Sequence, residues 1–499
     1  MSDIIFGLTA ALQIQNLIAA LLSTAAGIFV GSMPGLSAAM GVALLIPLTF
    51  GMPSDTALIA LVGVYCGAMY GGSISAILLH TPGTSSAAAT AIDGYPMTLK
   101  GESGKALATA ITSSFIGGII SAIALYTISP LLAKLALGFG PTEYFWLSIF
   151  GLTIIAGVSS DSMVKGLLSG AFGLVLSTIG MDPMLGVPRF NFGSSSLLEG
   201  LPFTATLIGL FSMSQVLVLA EKELKKRAKA KKVDDKVFLD KSEFKRITPV
   251  SIWAGLIGVV VGILPGAGGT IASFIGYNES RRFVKDKSLL GTGIIEGVAG
   301  PEAANNAVTG GSMIPMLTLG IPGNSVAAIL LGGLLIQGLA PGPDLFTVHG
   351  KITYTFFAGF VVVNIFMLIL GLTSTPLFSK VAEIEDRVLI PIIFTLSTVG
   401  SYSITNNPAD IKVMFVFGII GYLVKKLDLN ASAIVLALIL GPIGETGLRR
   451  TLIINDGNIF SLFNGTISWV LILMTLFSVL TPVFTMILNK RKEKLKAGE

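Results

Sequence analysis

Apolar residues run along most of this chain in stretches long enough to cross a bilayer, and polar positions gather at a few interruptions. No charged residue occurs from Asn16 to Ser54, and none from Ala303 to Pro343. Runs of about 18 or more apolar residues read as membrane-spanning helices. The pattern predicts such segments at 17–33, 56–79, 105–129, 144–160, 163–180, 200–220, 251–266, 303–319, 352–378, 388–404, 411–425, 430–443 and 465–488. Several are short or broken by Gly and Pro, so about 10–13 true crossings are expected. Backbone amides in hydrocarbon need internal partners, which leaves helices or a closed barrel. Long non-alternating runs exclude the barrel. The fold class is therefore an all-α polytopic membrane protein.

The interruptions repeat. Gly27, Gly31, Pro34 and Gly35 follow the spacing G-x-x-x-G-x-x-P-G, and Gly258, Gly262, Pro265 and Gly266 repeat it 231 residues later. Each copy precedes a second Pro-Gly in a polar setting, Pro82-Gly83-Thr84-Ser85-Ser86 and Pro322-Gly323-Asn324-Ser325. Gly71-Gly72-Ser73 and Gly310-Gly311-Ser312 stand at nearly the same distance ahead of them. A charged insert from Glu279 to Lys287 lengthens the gap between the two Pro-Gly elements to 57 residues, from 48 in the first half. A duplicated pair of broken, glycine-lined segments points to a transporter site built from two halves. The stretch 82–93 reads as the tip of a re-entrant hairpin, and the spans over 105–220 as ordinary packing or scaffold helices.

Charge sets the orientation. Charged residues make up 12% of the 499, against about 25% in a soluble domain. Residues 221–246 hold eleven Lys/Arg against six acids, and five more Lys/Arg lie between Lys490 and Lys496. Both segments belong in the cytoplasm under the positive-inside rule. This divides the chain into a first half at 1–220, a basic connecting loop at 221–248, a second half at 249–445, and an extra helix with a basic tail at 446–499. With an external N-terminus, each half would cross an odd number of times, giving two inverted repeats with broken or re-entrant helices. No cleavable signal is visible in residues 1–16. One cysteine, Cys66, excludes a disulfide framework.

The polar inventory at the breaks is Ser, Thr, Asn and backbone, with almost no buried charge. That suits an anion held by helix N-termini, whose free amides carry about half a positive charge. The candidate substrate residues are Pro82, Gly83, Thr84, Ser85, Ser86, Pro322, Gly323, Asn324 and Ser325. Carbonyls freed at Gly31, Pro34 and Gly35 and at Gly262, Pro265 and Gly266, together with Asn305 and Asn306, could hold a coupling Na⁺ as the sole cofactor. For any single residue, helix capping or helix–helix packing explains it equally well. Enzyme chemistry finds little support: His80 and His349 are not at ligand spacing, and Gly101-Glu102-Ser103-Gly104-Lys105 lacks the first glycine and the final Ser/Thr of a phosphate loop.

The motif pair, the run from Tyr70 through Ser85, and Gly300-Pro301-Glu302-Ala303-Ala304-Asn305-Asn306-Ala307 together resemble the TctA family, the large membrane subunit of tripartite tricarboxylate transporters. The resemblance runs from about Gly27 to Pro442. It implies a bacterial inner-membrane secondary carrier working with a small membrane subunit and a periplasmic solute-binding protein. It further implies uptake of an organic carboxylate such as citrate, driven by a Na⁺ or H⁺ gradient. An anion channel, or a symporter working without a binding protein, is the alternative. A homodimer is left open by the sequence, and no nucleic-acid partner is expected.

Overall fold

The computed structural model describes residues 2–158, 163–221, 237–266, 268–374, 377, 380 and 384–480. Most of the basic connecting loop and the whole basic tail, both expected in the cytoplasm, lie outside them. The described residues are helical almost throughout. The helices are α1 (Ser2–Ala11), α2 (Ile14–Ser32), α3 (Ala38–Thr49), α4 (Ser54–Leu79), α5 (Ala88–Leu99), α6 (Ser103–Ala136), α7 (Pro141–Val158), α8 (Met163–Ser177) and α9 (Phe203–Glu221). After the basic loop come α10 (Lys241–Ile263), α11 (Gly268–Ser280), α12 (Ile295–Leu319), α13 (Ser325–Ile336), α14 (Gly350–Thr373), α15 (Asp386–Ser403), α16 (Pro408–Lys426), α17 (Ala431–Ile454) and α18 (Thr466–Leu480).

Among the described residues, seven helices are long and apolar enough to cross a membrane: α2, α4, α6, α9, α10, α14 and α17. The sequence pattern gives a larger number because some predicted spans form shorter apolar helices, such as α8 with 15 residues where 163–180 is predicted. α12 is long but too polar to score as apolar. Its start at Ile295 precedes the predicted 303. α10 likewise starts well before 251, because Asp240 and Glu243 form a reciprocal capping box. Asp240 Oδ1 accepts from the amides of Ser242 and Glu243, and Glu243 Oε2 accepts from the Asp240 amide.

The chain forms two compact units, and each sequence half contributes to both. One comprises Met1–Lys134 and Phe203–Tyr422; the other comprises Leu135–Pro202 and Leu423–Glu499. In the first unit, glycines decide the packing. Gly27 and Gly31 of α2 lie against the backbone of α4 at Val64 and Ala68, while Gly67 and Gly71 of α4 lie against Thr24 and Ile28. A side chain at any of the four would strike main chain, so the helices approach as closely as backbones allow. Gly258 of α10 meets Ala304 of α12, and Gly311 of α12 meets Val259, in the same manner. The opposite faces are apolar and outward. Ile18, Leu22 and Phe29 of α2, and Ile252, Leu256 and Val260 of α10, are exposed. A lipid solvent explains an exposed apolar stripe at spacing four behind a glycine seam.

α6 departs from the expectation of an ordinary scaffold helix. Gly117 packs on the α12 backbone at Ala303, and Ser113 accepts a hydrogen bond from Ser251 of α10 at 3.0 Å.

In the second unit, α17 packs on α7 and α8, and the loop after α8 carries a short antiparallel pair, β1 (Gly180–Met181) and β2 (Pro188–Arg189). Arg449 donates to both oxygens of Asp182 at 2.9 and 2.8 Å, and Arg189 donates to Glu445 at 2.7 Å. The amides of Leu185 and Met184, with Arg449, hold the Asp182 carboxyl below the usual carboxylate range. A depressed folded pKa stabilises the fold above the unfolded value of about 3.9 and loses that contribution as pH falls through the folded value. Asp182→Asn should therefore lower the unfolding temperature at neutral pH and flatten its fall below about pH 4. Melts in detergent across pH check this.

Candidate functional site

Both predicted breaks are present. α2 stops at Ser32 and α3 restarts after Ser37, whose Oγ accepts from the Met40 amide at 3.2 Å. α10 stops at Ile263 and α11 begins at Gly268. Gly35 and Gly266 adopt φ of 91° and 82°, the left-handed region that glycine enters without penalty. The freed carbonyl of Gly35 accepts from Gln215 Nε2 at 2.6 Å, and the Gly266 amide donates to the Gly323 carbonyl at 2.8 Å.

Each long central helix ends in a left-handed residue, His80 at φ 55° and Gly320 at φ 74°. The Pro-Gly turn then folds back. Gly83 donates to the Gly72 carbonyl at 3.1 Å, and Gly323 donates to the Ser312 carbonyl at 3.3 Å. A Cβ on Gly83 would collide with the Gly31 carbonyl oxygen, and one on Gly323 with that of Gly262. Each turn is thus seated on the glycine of its own G-x-x-x-G break. These contacts fix the register of the duplication. Gly72 corresponds to Ser312, and Gly71 over Ile28 corresponds to Gly311 over Val259. The two Gly-Gly-Ser triplets are therefore one residue out of step, and their near-equal spacing is a coincidence of sequence.

The two Pro-Gly turns converge on the N-terminus of α11. Thr270 Oγ1 donates to Ser85 Oγ at 3.0 Å. A Cβ built on Gly269 would lie 2.6 Å from Asn305 Oδ1 and 3.1 Å from Ser86 Cβ, and one on Gly268 would lie 4.0 Å from Asn324 Cβ. Asn324 caps α13, its Oδ1 accepting from the Ala327 amide at 2.9 Å, and its Nδ2 donates to the Tyr65 hydroxyl at 2.7 Å. Tyr65 OH also lies 3.2 Å from Ser312 Oγ. Thr84 and Ser86 share a hydrogen bond at 3.1 Å. Asn305 is fully buried, and neither its Nδ2 nor its Oδ1 has a hydrogen-bond partner. A buried orphan amide costs about 1–3 kcal/mol per group, so it points to a ligand or water that the fold accommodates. The Gly31 and Gly262 carbonyls, by contrast, are enclosed by the turns that sit on them.

The sequence reading of almost no buried charge is corrected by two residues. Glu302 is fully buried in α12, where its Oε1 accepts from Ser73 and Thr90, and its Oε2 accepts from Ser114 at 2.8 Å. Asn306 Nδ2 donates to Ser114 Oγ at 2.8 Å. Asp93 of α5 is also fully buried. It accepts from the amides of Gly291, Gly293 and Ile294 at 3.0, 2.7 and 3.1 Å and from the Tyr277 hydroxyl at 2.9 Å. The first could have been suspected, because Glu302 stands three and four residues before Asn305 and Asn306 and so shares their helix face. The second gives no such sign; its partners are about 200 residues away. Among the described residues there is no cluster of three or more His, Cys, Asp or Glu able to hold a metal.

Paired helix breaks that gather polar groups at helix starts are the arrangement seen in carriers with a discontinuous-helix site. The comparisons make this specific. Residues 17–436 match the family model described as the tripartite tricarboxylate transporter TctA family. The chain is 37% identical over 490 residues to an uncharacterized 52.8 kDa protein of the TAR-I ttuC' 3' region of Agrobacterium vitis, covering 98% of this chain and 97% of that protein. It is also 37% identical over 236 residues to a protein of the TAR-II ttuC' 3' region of the same organism, covering 47% of this chain and 98% of that one. No solved structure matches. The chain belongs to the TctA family, the membrane component of tripartite tricarboxylate transporters.

Proposed function

We propose that the chain takes up a tricarboxylate such as citrate, or a related organic carboxylate, across the bacterial inner membrane by alternating access. It would be fed by a periplasmic solute-binding protein, assisted by a small membrane subunit, and driven by a Na⁺ or H⁺ gradient. The cargo binds where the starts of α11 and α13 meet Thr84, Ser85, Ser86, Asn305 and Asn324. The observation that carries this reading is the unpartnered Asn305 amide facing Gly269 at the start of α11. Helix-start amides and small donors suit carboxylate oxygens without a buried lysine. In this reading the two halves lie in opposite orientation, which requires each to cross an odd number of times; the matched contacts of Gly31 with Gly83 and Gly262 with Gly323 support the repeat itself. Backbone contact along α2–α4 and α10–α12 favours these helices moving as one body, an elevator-like stroke.

Uptake of labelled carboxylates into proteoliposomes, with and without the binding protein and an imposed ion gradient, tests the reading. Accumulation above the outside concentration is expected. Equilibration only, at a rate indifferent to ion gradients, would make the protein a channel and overturn it. Asn305→Ala should raise the KM for uptake about tenfold, equivalent to about 1.4 kcal/mol of lost binding, with protein yield unchanged. Unchanged kinetics would remove Asn305 from the site.

A further inference from the structure

Glu302 is a fully buried carboxyl group of α12, and among the described residues no Lys, Arg or His forms an ion pair with it. Its three hydrogen-bond partners are neutral hydroxyls from three different helices or turns, Ser73, Thr90 and Ser114. A buried charge is normally paired or bound to a metal ion, because leaving it alone costs several kcal/mol (~3–5 when a partner is removed). Asn306, one turn further along α12, lends its Nδ2 to Ser114 while its buried Oδ1 has no partner. Hard cations take oxygen ligands of this kind: carboxylate, hydroxyl and amide carbonyl.

We propose that Glu302, Ser73, Thr90, Ser114 and the Asn306 carbonyl form a Na⁺ site. One carboxylate matches one positive charge, whereas a divalent ion would lack a second acid. The position couples it to the cargo site, and to this extent the inference rests on the transport reading above. Ser86 and Thr90 are four residues apart on one chain segment, and Glu302 and Asn305 are three apart on α12. The Na⁺ site thus lies one helical turn, roughly 5–6 Å, from the groups that face α11. A cation there neutralises Glu302, which would otherwise repel an arriving carboxylate. Na⁺ binding therefore precedes cargo binding and raises its affinity.

The test is Na⁺ binding to the full-length protein purified in detergent, without any cargo. Equilibrium dialysis with ²²Na⁺ at pH 8, and melting in Na⁺ against K⁺ or choline at constant ionic strength, give two readouts. Saturable Na⁺ binding with a Na⁺-specific rise in melting temperature is expected. Glu302→Gln should weaken binding by about a hundredfold or more, and Thr90→Ala and Ser114→Ala by about tenfold each. The alanine variants remove one neutral ligand and keep the assay informative if Glu302→Gln does not fold. Absence of Na⁺-specific binding in the native protein overturns the proposal, as does native affinity in Thr90→Ala and Ser114→Ala. Carboxylate uptake that follows a proton gradient and ignores Na⁺ overturns it too. If Na⁺ binds through Glu302 but no carboxylate is ever taken up, the transport reading fails while the ion site stands.

Discussion

Alanine at Gly83 or at Gly323 should leave little folded protein and no measurable uptake. At each position the new methyl group would occupy the place of a carbonyl oxygen, that of Gly31 or of Gly262. A flexible side chain could rotate away; a carbonyl inside a helix cannot. Gly83 is held further by its amide bond to Gly72 O, and Gly323 by that to Ser312 O and by the Gly266 amide on its own carbonyl. Overpacking a tight core costs about 1–3 kcal/mol when side chains can adjust. Here two backbones must separate, so the penalty exceeds that range. Size-exclusion profiles of tagged protein in detergent measure the folded yield, and proteoliposome uptake measures the activity. The neighbouring Thr81→Ala, at an exposed position, serves as the control and should behave as native.

The second large effect is expected from Asp93→Ala. Its carboxylate gathers three backbone amides and a tyrosine hydroxyl, and its removal leaves all four donors buried in part or whole without an acceptor. Hydrogen bonds to a charged acceptor are worth about 1.5–3 kcal/mol each, so a loss of about 3 kcal/mol or more is expected. Tyr277→Phe removes one of the four and should cost about 1 kcal/mol. Thermal unfolding of both variants gives the order. The segment from Gly291 to Ile294 leads directly into α12, which carries Glu302 and Asn305. Asp93→Ala should therefore reduce uptake in the fraction that folds, whereas a destabilised surface residue would not.

What could be read from the chain alone depended on how local each cause was. Proline and glycine act on their own backbone, so the breaks at Pro34-Gly35 and Pro265-Gly266 and the turns at Pro82-Gly83 and Pro322-Gly323 were visible in the sequence. Asn324 as a helix cap was visible too, because capping needs only the next three residues. The charge-free runs announced membrane helices, although the number of long ones is smaller than the pattern suggested. Glu302 was legible only in part, from its place one helical turn before Asn305 and Asn306. A glutamate beside Pro301 at the edge of an apolar run looks like an interfacial residue. Only the tertiary meeting of Ser73, Thr90 and Ser114 makes burial tolerable. The register of the duplication was hidden, since Gly-Gly-Ser reads equally well one position off until the Ile28 and Val259 carbonyls show which glycine they touch. α6 looked ordinary because Gly117 and Ser114 carry no signal apart from the helix they face.

The loop preceding α12 makes the two halves chemically unequal. Gly291, Gly293 and Ile294 stand in a connection that the first half replaces with the few residues between Thr49 and Ser54. A chimaeric chain assembled from two copies of the amino-terminal half would possess both kinked entrances and both glycine seats, yet lack the clasp for its own Asp93. It would also lack the acid that stands at Glu302, since the first half has Val62 at that place. Such a tandem would consist of two identical halves, and the one-sided placement of the longer connection and of the acid would be lost.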